Sequence, residues 1–166
     1  MSLARALLIP MATLSVAAAG IHFAVIQEHL QEFEPFGWLF LALAWFQTLW
    51  PIPYLMHRTV LLGWVGVVVN LGAVGVWLWS RTAGLPFGPE PGEPEVAGPL
   101  DLTASAFELL LVSLLLLLLA PRSRAVIEAV RLDARRGWLG AALWSTLIVA
   151  LASAALLAPS AMMLMR

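Results

Sequence analysis

Two histidines and two carboxylates, each pair at heptad spacing, are the residues of this chain best suited to chemistry. His22 and His29 lie seven positions apart, and Asp101 and Glu108 repeat that interval. Seven residues are close to two helical turns, so each pair shares one face of its helix. Glu32 follows His29 by three positions on the same face, and Glu28 is offset to the side. Neutral imidazoles and carboxylates together suit Zn²⁺ and related first-row ions. The same groups can transfer protons, or form buried hydrogen bonds that hold two helices in register.

The elements that must position them are membrane helices. Of the 166 residues, 61% are hydrophobic and only 11% charged. A soluble domain cannot hide that much apolar surface, because its exterior must face water. Runs such as Val60–Trp79, Phe107–Ala120 and Trp138–Ala158 approach the roughly 20 apolar residues needed to cross ~30 Å of hydrocarbon. The expected fold is therefore all-α, a single transmembrane domain over 1–166. We read about five spans, near 4–26, 37–56, 59–79, 102–120 and 138–159. Arg5, the apolar stretch Leu7–Val16 and Ala17–Ala19 imitate a secretion signal, but apolar character continues to Ile26 and a retained helix is expected.

Between the first two spans lies the Glu-rich stretch Gln27–Phe36, closed by Pro35. Pro51 and Pro53 fall in the last turn of span two, where they should kink or end it. The sizeable loop is 80–99, whose prolines and Glu90, Glu93 and Glu95 favour an extended, ordered strap over the outer mouth. Residues 122–136 read as a short amphipathic segment with Glu128 able to pair with Arg131.

Orientation follows from the arginines. With the N-terminus cytoplasmic and the C-terminus outside, the inner side carries Arg5, Arg58, Arg122, Arg124, Arg131, Arg135 and Arg136, against Arg81 and Arg166 outside. The expected location is thus the plasma (inner) membrane, multi-pass, with 122–136 on the cytoplasmic side. His29 and Asp101 then lie at the outer surface, and His22 and Glu108 lie about 10 Å deeper. If spans one and four are neighbours, His22 meets Glu108 and His29 meets Asp101.

Gln47 and Asn70 each sit about midway along their spans and are expected to satisfy one another near the midplane. Gly63, Gly66, Gly72 and Gly75 in span three should permit close helix approach. Trp38, Trp77, Trp79 and Trp138 are placed for interfacial belts. Met162, Met163 and Met165 could add thioethers for copper, and an apolar helix end explains them as well. The absence of cysteine excludes disulfides and thiolate chemistry. A formal charge of −1 argues against a nucleic-acid partner.

The stretches Ile21-His22-Phe23, Glu28-His29-Leu30-Gln31-Glu32 and Ser80-Arg81-Thr82-Ala83-Gly84-Leu85-Pro86-Phe87-Gly88-Pro89-Glu90-Pro91 resemble small polytopic membrane proteins of high-GC bacteria. That resemblance implies a membrane fold and carries no particular activity.

Three functions fit these residues. The first is an outward-facing metal site, in a sensor, carrier or cofactor-holding subunit. Its ligands are His22, Glu28, His29, Glu32, Asp101 and Glu108, and its ion is divalent, zinc ahead of copper. The second is a structural or accessory subunit, in which the polar pairs set helix register. The third is an intramembrane enzyme or a lipid- or quinone-binding protein using the same cluster for proton transfer. Expected partners are membrane lipids, and other membrane subunits or further copies of the chain.

Overall fold

The computed structural model describes residues 3–120, which are helical apart from short turns and one loop. The expected fifth span at 138–159, the amphipathic segment 122–136 and the Met162–Met165 cluster lie outside the described residues. Five helices follow in order: α1 (Leu3–Glu32), α2 (Glu34–Leu49), α3 (Pro51–His57), α4 (Val60–Thr82) and α5 (Pro99–Leu119). Among the described residues, four stretches are long and apolar enough to cross a membrane: Leu7–Glu32, Glu34–His57, Val60–Thr82 and Pro99–Leu119. These spans and the composition make the chain a membrane protein.

Helix α1 outlasts the apolar span that ends near Ile26. It runs on to Glu32, because Gln27, Glu28, Leu30, Gln31 and Glu32 are good helix formers and continue the turns already begun. Only Phe33 is extended, and Pro35 sits in the first turn of α2, where no amide donor is required. The second span breaks where its prolines predict. Trp50 keeps helical angles between α2 and α3, so the break is mild. Thr59 then caps α4 by accepting the Leu62 amide at 3.3 Å.

Helix α1 packs between α2 and α5, and α5 packs between α1 and α4. The fourth side of the bundle, α2 against α4, is closed by side chains. The indole of Trp50 donates to the Leu62 carbonyl at 2.9 Å and packs against Gly66. Each helix turns one stripe inward at helical spacing. Met11, Leu14, Ser15, Ala18 and His22 form the stripe of α1, and Ala104, Phe107, Glu108, Leu111 and Leu115 that of α5. The opposite faces expose large apolar side chains, including Trp45, Trp64, Val68 and Leu110.

The loop 83–98 folds back over the end of the bundle that also carries the α1–α2 turn. The Glu95 amide donates to the Ser80 carbonyl at 3.0 Å and the Gly92 amide to Leu85 at 2.7 Å. Gly84, at φ 71°, lies against the Gly92–Glu93 backbone with no room for a Cβ.

Of the four glycines expected to admit a neighbour, Gly63 meets Leu119 and Gly66 meets Trp50, whereas Gly72 and Gly75 face open space among the described residues. A methyl on Gly66 would run into the indole ring. Gly66→Ala should therefore cost about 1–3 kcal/mol through overpacking. Gly72→Ala should be neutral or stabilising by up to ~1 kcal/mol through helix propensity. Unfolding of the two variants by a denaturing detergent in mixed micelles measures the contrast.

Candidate functional site

The inward stripes of four helices each carry one hydrogen-bonding side chain at a common level: His22 on α1, Gln47 on α2, Asn70 on α4 and Glu108 on α5. Glu108 is 2% exposed and His22 6%, while Gln47 and Asn70 are fully buried. Low-polarity surroundings make each unpaired polar group costly, so the pairing here decides whether the bundle is stable.

The four groups meet. His22 Nε2 lies 3.1 Å from Glu108 Oε1, and Gln47 Nε2 donates to the same oxygen at 2.7 Å. The second amide hydrogen of Gln47 goes to Asn70 Oδ1 at 3.0 Å, and Asn70 Nδ2 donates to the Gly66 carbonyl at 2.8 Å. With Glu108 ionised, Oε1 can only accept, and the proton of the His22 contact then belongs on Nε2. That leaves Nδ1 of His22 as the lone-pair side of the ring. Gln47 Oε1 is buried and takes no hydrogen bond among the described residues. The network is thus richer in acceptors than in donors and has a place for one further donor.

Ser15 adds a support that depends on a proline. Pro51 lacks the N–H that would close the helical bond to the Gln47 carbonyl four positions earlier. Ser15 Oγ donates to that freed carbonyl at 2.7 Å, locking α1 to α2 one level from the network. A Pro placed four residues after a polar midplane residue was the available signal for this. The serine itself is indistinguishable in sequence from a small packing residue.

Of the expected pairs, His22–Glu108 and Gln47–Asn70 are formed, and they join into one network. The His29–Asp101 pair is not. His29 Nδ1 donates to the Val25 carbonyl one turn back at 2.8 Å, which places its proton on that nitrogen. Asp101 turns to α4, where its Oδ2 accepts from Trp77 Nε1 at 2.9 Å and from Arg81 Nε and Nη2 at 3.0 and 2.8 Å. A fully charged, forked guanidinium with an indole donor beside it outbids a neutral imidazole for a carboxylate. Arg81 also binds Glu95 through Nη1, so the Asp101 corner is a clamp that holds the loop to α4 and α5. Trp77 is hence a hydrogen-bond donor in this clamp as well as an aromatic at the helix end.

The six expected ligands are therefore divided: His22 and Glu108 form a buried pair, Asp101 joins the clamp, His29 is bonded to its own helix, and Glu28 and Glu32 are exposed. Among the described residues no three His, Asp or Glu side chains are placed to hold a metal ion. His29 does approach His22 indirectly. Both imidazoles pack on the Phe40 ring, with centroids at 4.3 and 5.4 Å. At the loop end of the same α1–α2 seam is a cavity of about 140 Å³, lined by Glu32, Phe36, Leu85, Phe87, Glu90 and Glu95.

Comparison with family models, curated proteins and solved structures gives no match to this chain. Its chemistry rests on its own geometry.

Removing one partner should expose the cost of the other. Glu108→Leu strands the His22 and Gln47 donors and should destabilise the bundle by about 3–5 kcal/mol. His22→Leu combined with Glu108→Leu should cost less than the sum of the single changes by ~1–3 kcal/mol. Detergent unfolding of the two single variants and the double variant closes this cycle, and additive losses would contradict the contact.

Proposed function

We propose that this is a multi-pass plasma-membrane protein that binds and releases a proton at the His22–Glu108 pair, acting as a proton-handling subunit or carrier. One observation carries the reading: the Glu108 oxygen is held between His22 Nε2 and Gln47 Nε2 in the interior of a membrane bundle. An ionisable pair there is expensive, and apolar residues of similar volume would pack the same helices at lower cost. Register does not require an ionisable group at this place, since Gln47–Asn70 joins α2 to α4, Ser15 joins α1 to α2 and Asp101 joins α5 to α4.

The chemistry is simple to balance. A proton arriving on His22 Nδ1 makes the ring an imidazolium whose positive charge is offset by the Glu108 carboxylate across the Nε2–H contact. Departure of that proton restores the neutral ring, with the hydrogen bond to Oε1 retained. Gln47 holds the carboxylate oriented in both states, and Asn70 holds Gln47. The arginine distribution supports placing the loop end outside, so the pair would exchange protons with that side. The outward apolar faces would meet lipid.

A metal site built from the same histidines and carboxylates is the competing reading, with zinc ahead of copper. It requires His29 to leave the Val25 carbonyl and Asp101 to leave Arg81 and Trp77. A proton needs no such rearrangement.

Protein labelled with ¹⁵N-histidine in lipid nanodiscs tests the proposal. A one-proton titration of His22 Nδ1 is expected in the wild type and should be absent in Glu108→Gln, which keeps the shape and removes the counter-charge. A His22 that titrates identically in both, or in neither, would overturn the reading. So would one zinc per chain that is lost in His22→Ala, which would favour the metal site.

A further inference from the structure

The His22–Glu108 pair is buried, so a proton that reaches it must cross packed side chains, and the seam between α1 and α2 offers a defined line. Three levels follow one another inward from the loop end. At the mouth, Glu32 of α1 and Phe36 of α2 line the cavity under the loop, with Glu90 and Glu95 on its far wall. One turn deeper His29 faces Phe40, and two turns below His29 is His22, on the other side of the same ring. His22 shares this third level with Glu108, Gln47 and Asn70.

His29 is equipped to pass a proton. Its Nδ1–H is occupied by the Val25 carbonyl, so Nε2 carries the free lone pair, and the ring is half-buried where His22 is buried. Glu32 and Glu90 at the mouth raise the local concentration of cations, protons included, while Glu95 is paired with Arg81. Of the other ionisable groups near this line, Asp101 is held by Arg81 and Trp77, and Glu28 is exposed. Between the two imidazoles stands an apolar ring with no group able to accept or donate a proton. The ring is itself half-buried, and displacing it is a change between staggered side-chain rotamers.

We propose that protons enter from the acidic cavity, pass through His29 and reach His22 when Phe40 swings aside, so that Phe40 is the gate of an intramembrane proton path. This rests on the proton-binding reading of His22–Glu108. In the transfer, His29 Nε2 takes a proton from water in the cavity and becomes an imidazolium. It releases that proton through a water admitted by the moved ring, and the proton is received on His22 Nδ1. His29 returns to its neutral form, and Glu108 balances the charge gained by His22. Nothing is oxidised or reduced.

The test is proton uptake at His22 after rapid acidification of the full chain in nanodiscs, followed by time-resolved infrared absorption of isotope-labelled imidazole. Phe40→Ala should speed uptake by about tenfold, and His29→Gln should slow it by about tenfold. Phe40→Leu keeps apolar bulk and should also speed uptake, which decides the matter if Phe40→Ala does not fold. Thermal unfolding of each variant close to that of the wild type assigns a changed rate to the path. Uptake at the wild-type rate in His29→Gln and in both Phe40 variants would overturn the gate and leave the proton site standing. No uptake at His22 in any variant would overturn the site and the gate together.

Discussion

A carboxylate oxygen in the interior of an apolar bundle must be given hydrogen-bond donors, and much of this structure follows from that need. Water cannot supply them at that depth, so they come from neighbouring helices. Oε1 of Glu108 takes one from α1 through His22 and one from α2 through Gln47. Gln47 can serve only if its other hydrogen has an acceptor, which Asn70 of α4 provides, and Asn70 is anchored in turn on the Gly66 carbonyl. One buried acceptor is thus linked, directly or through Gln47, to a polar residue on each of the other three helices.

Backbone features serve the same end. Pro51 bends the second span and frees the carbonyl of Gln47, whose new donor, Ser15, draws α1 and α2 together beside the network. The bend also sets Trp50 over Gly66, closing the side of the bundle where α2 and α4 have few contacts. Aromatic stacking of Phe46, Trp50 and Tyr54 stiffens this corner. The Arg81–Asp101 clamp is a separate device. It uses exposed and half-buried charges to pin the loop to the bundle end, and it shares no side chain with the buried pair.

The buried pair was legible in the sequence because depth and face are both functions of residue number in a helix. His22 and Glu108 fall at matching depths in antiparallel spans, and few polar residues compete for them. Gln47 and Asn70 were legible as a pair for the same reason. Their union with Glu108 was not, because hydropathy cannot separate a core stripe from an outer face when both are leucine and valine. The pairing of His29 with Asp101 failed on chemistry rather than geometry: Arg81, read from sequence only as a charge in a loop, lies in the last turn of α4 and holds the carboxylate. The run from Gln27 to Glu32 shows a related limit. Polarity marks where a membrane segment ends, but helix propensity decides where the helix ends, and here the two differ by about a turn and a half.

The contact between His22 and Glu108 is the one on which the buried network and its proposed proton chemistry depend. Its most direct measurement is the magnetic dipolar coupling between the labelled carboxyl carbon of Glu108 and Nε2 of His22, by solid-state NMR of the protein in lipid bilayers. A strong coupling, matching a nitrogen–oxygen separation of 3.1 Å, is predicted. A coupling too weak to detect would mean that the two side chains do not meet, and the network built on them would fall with it.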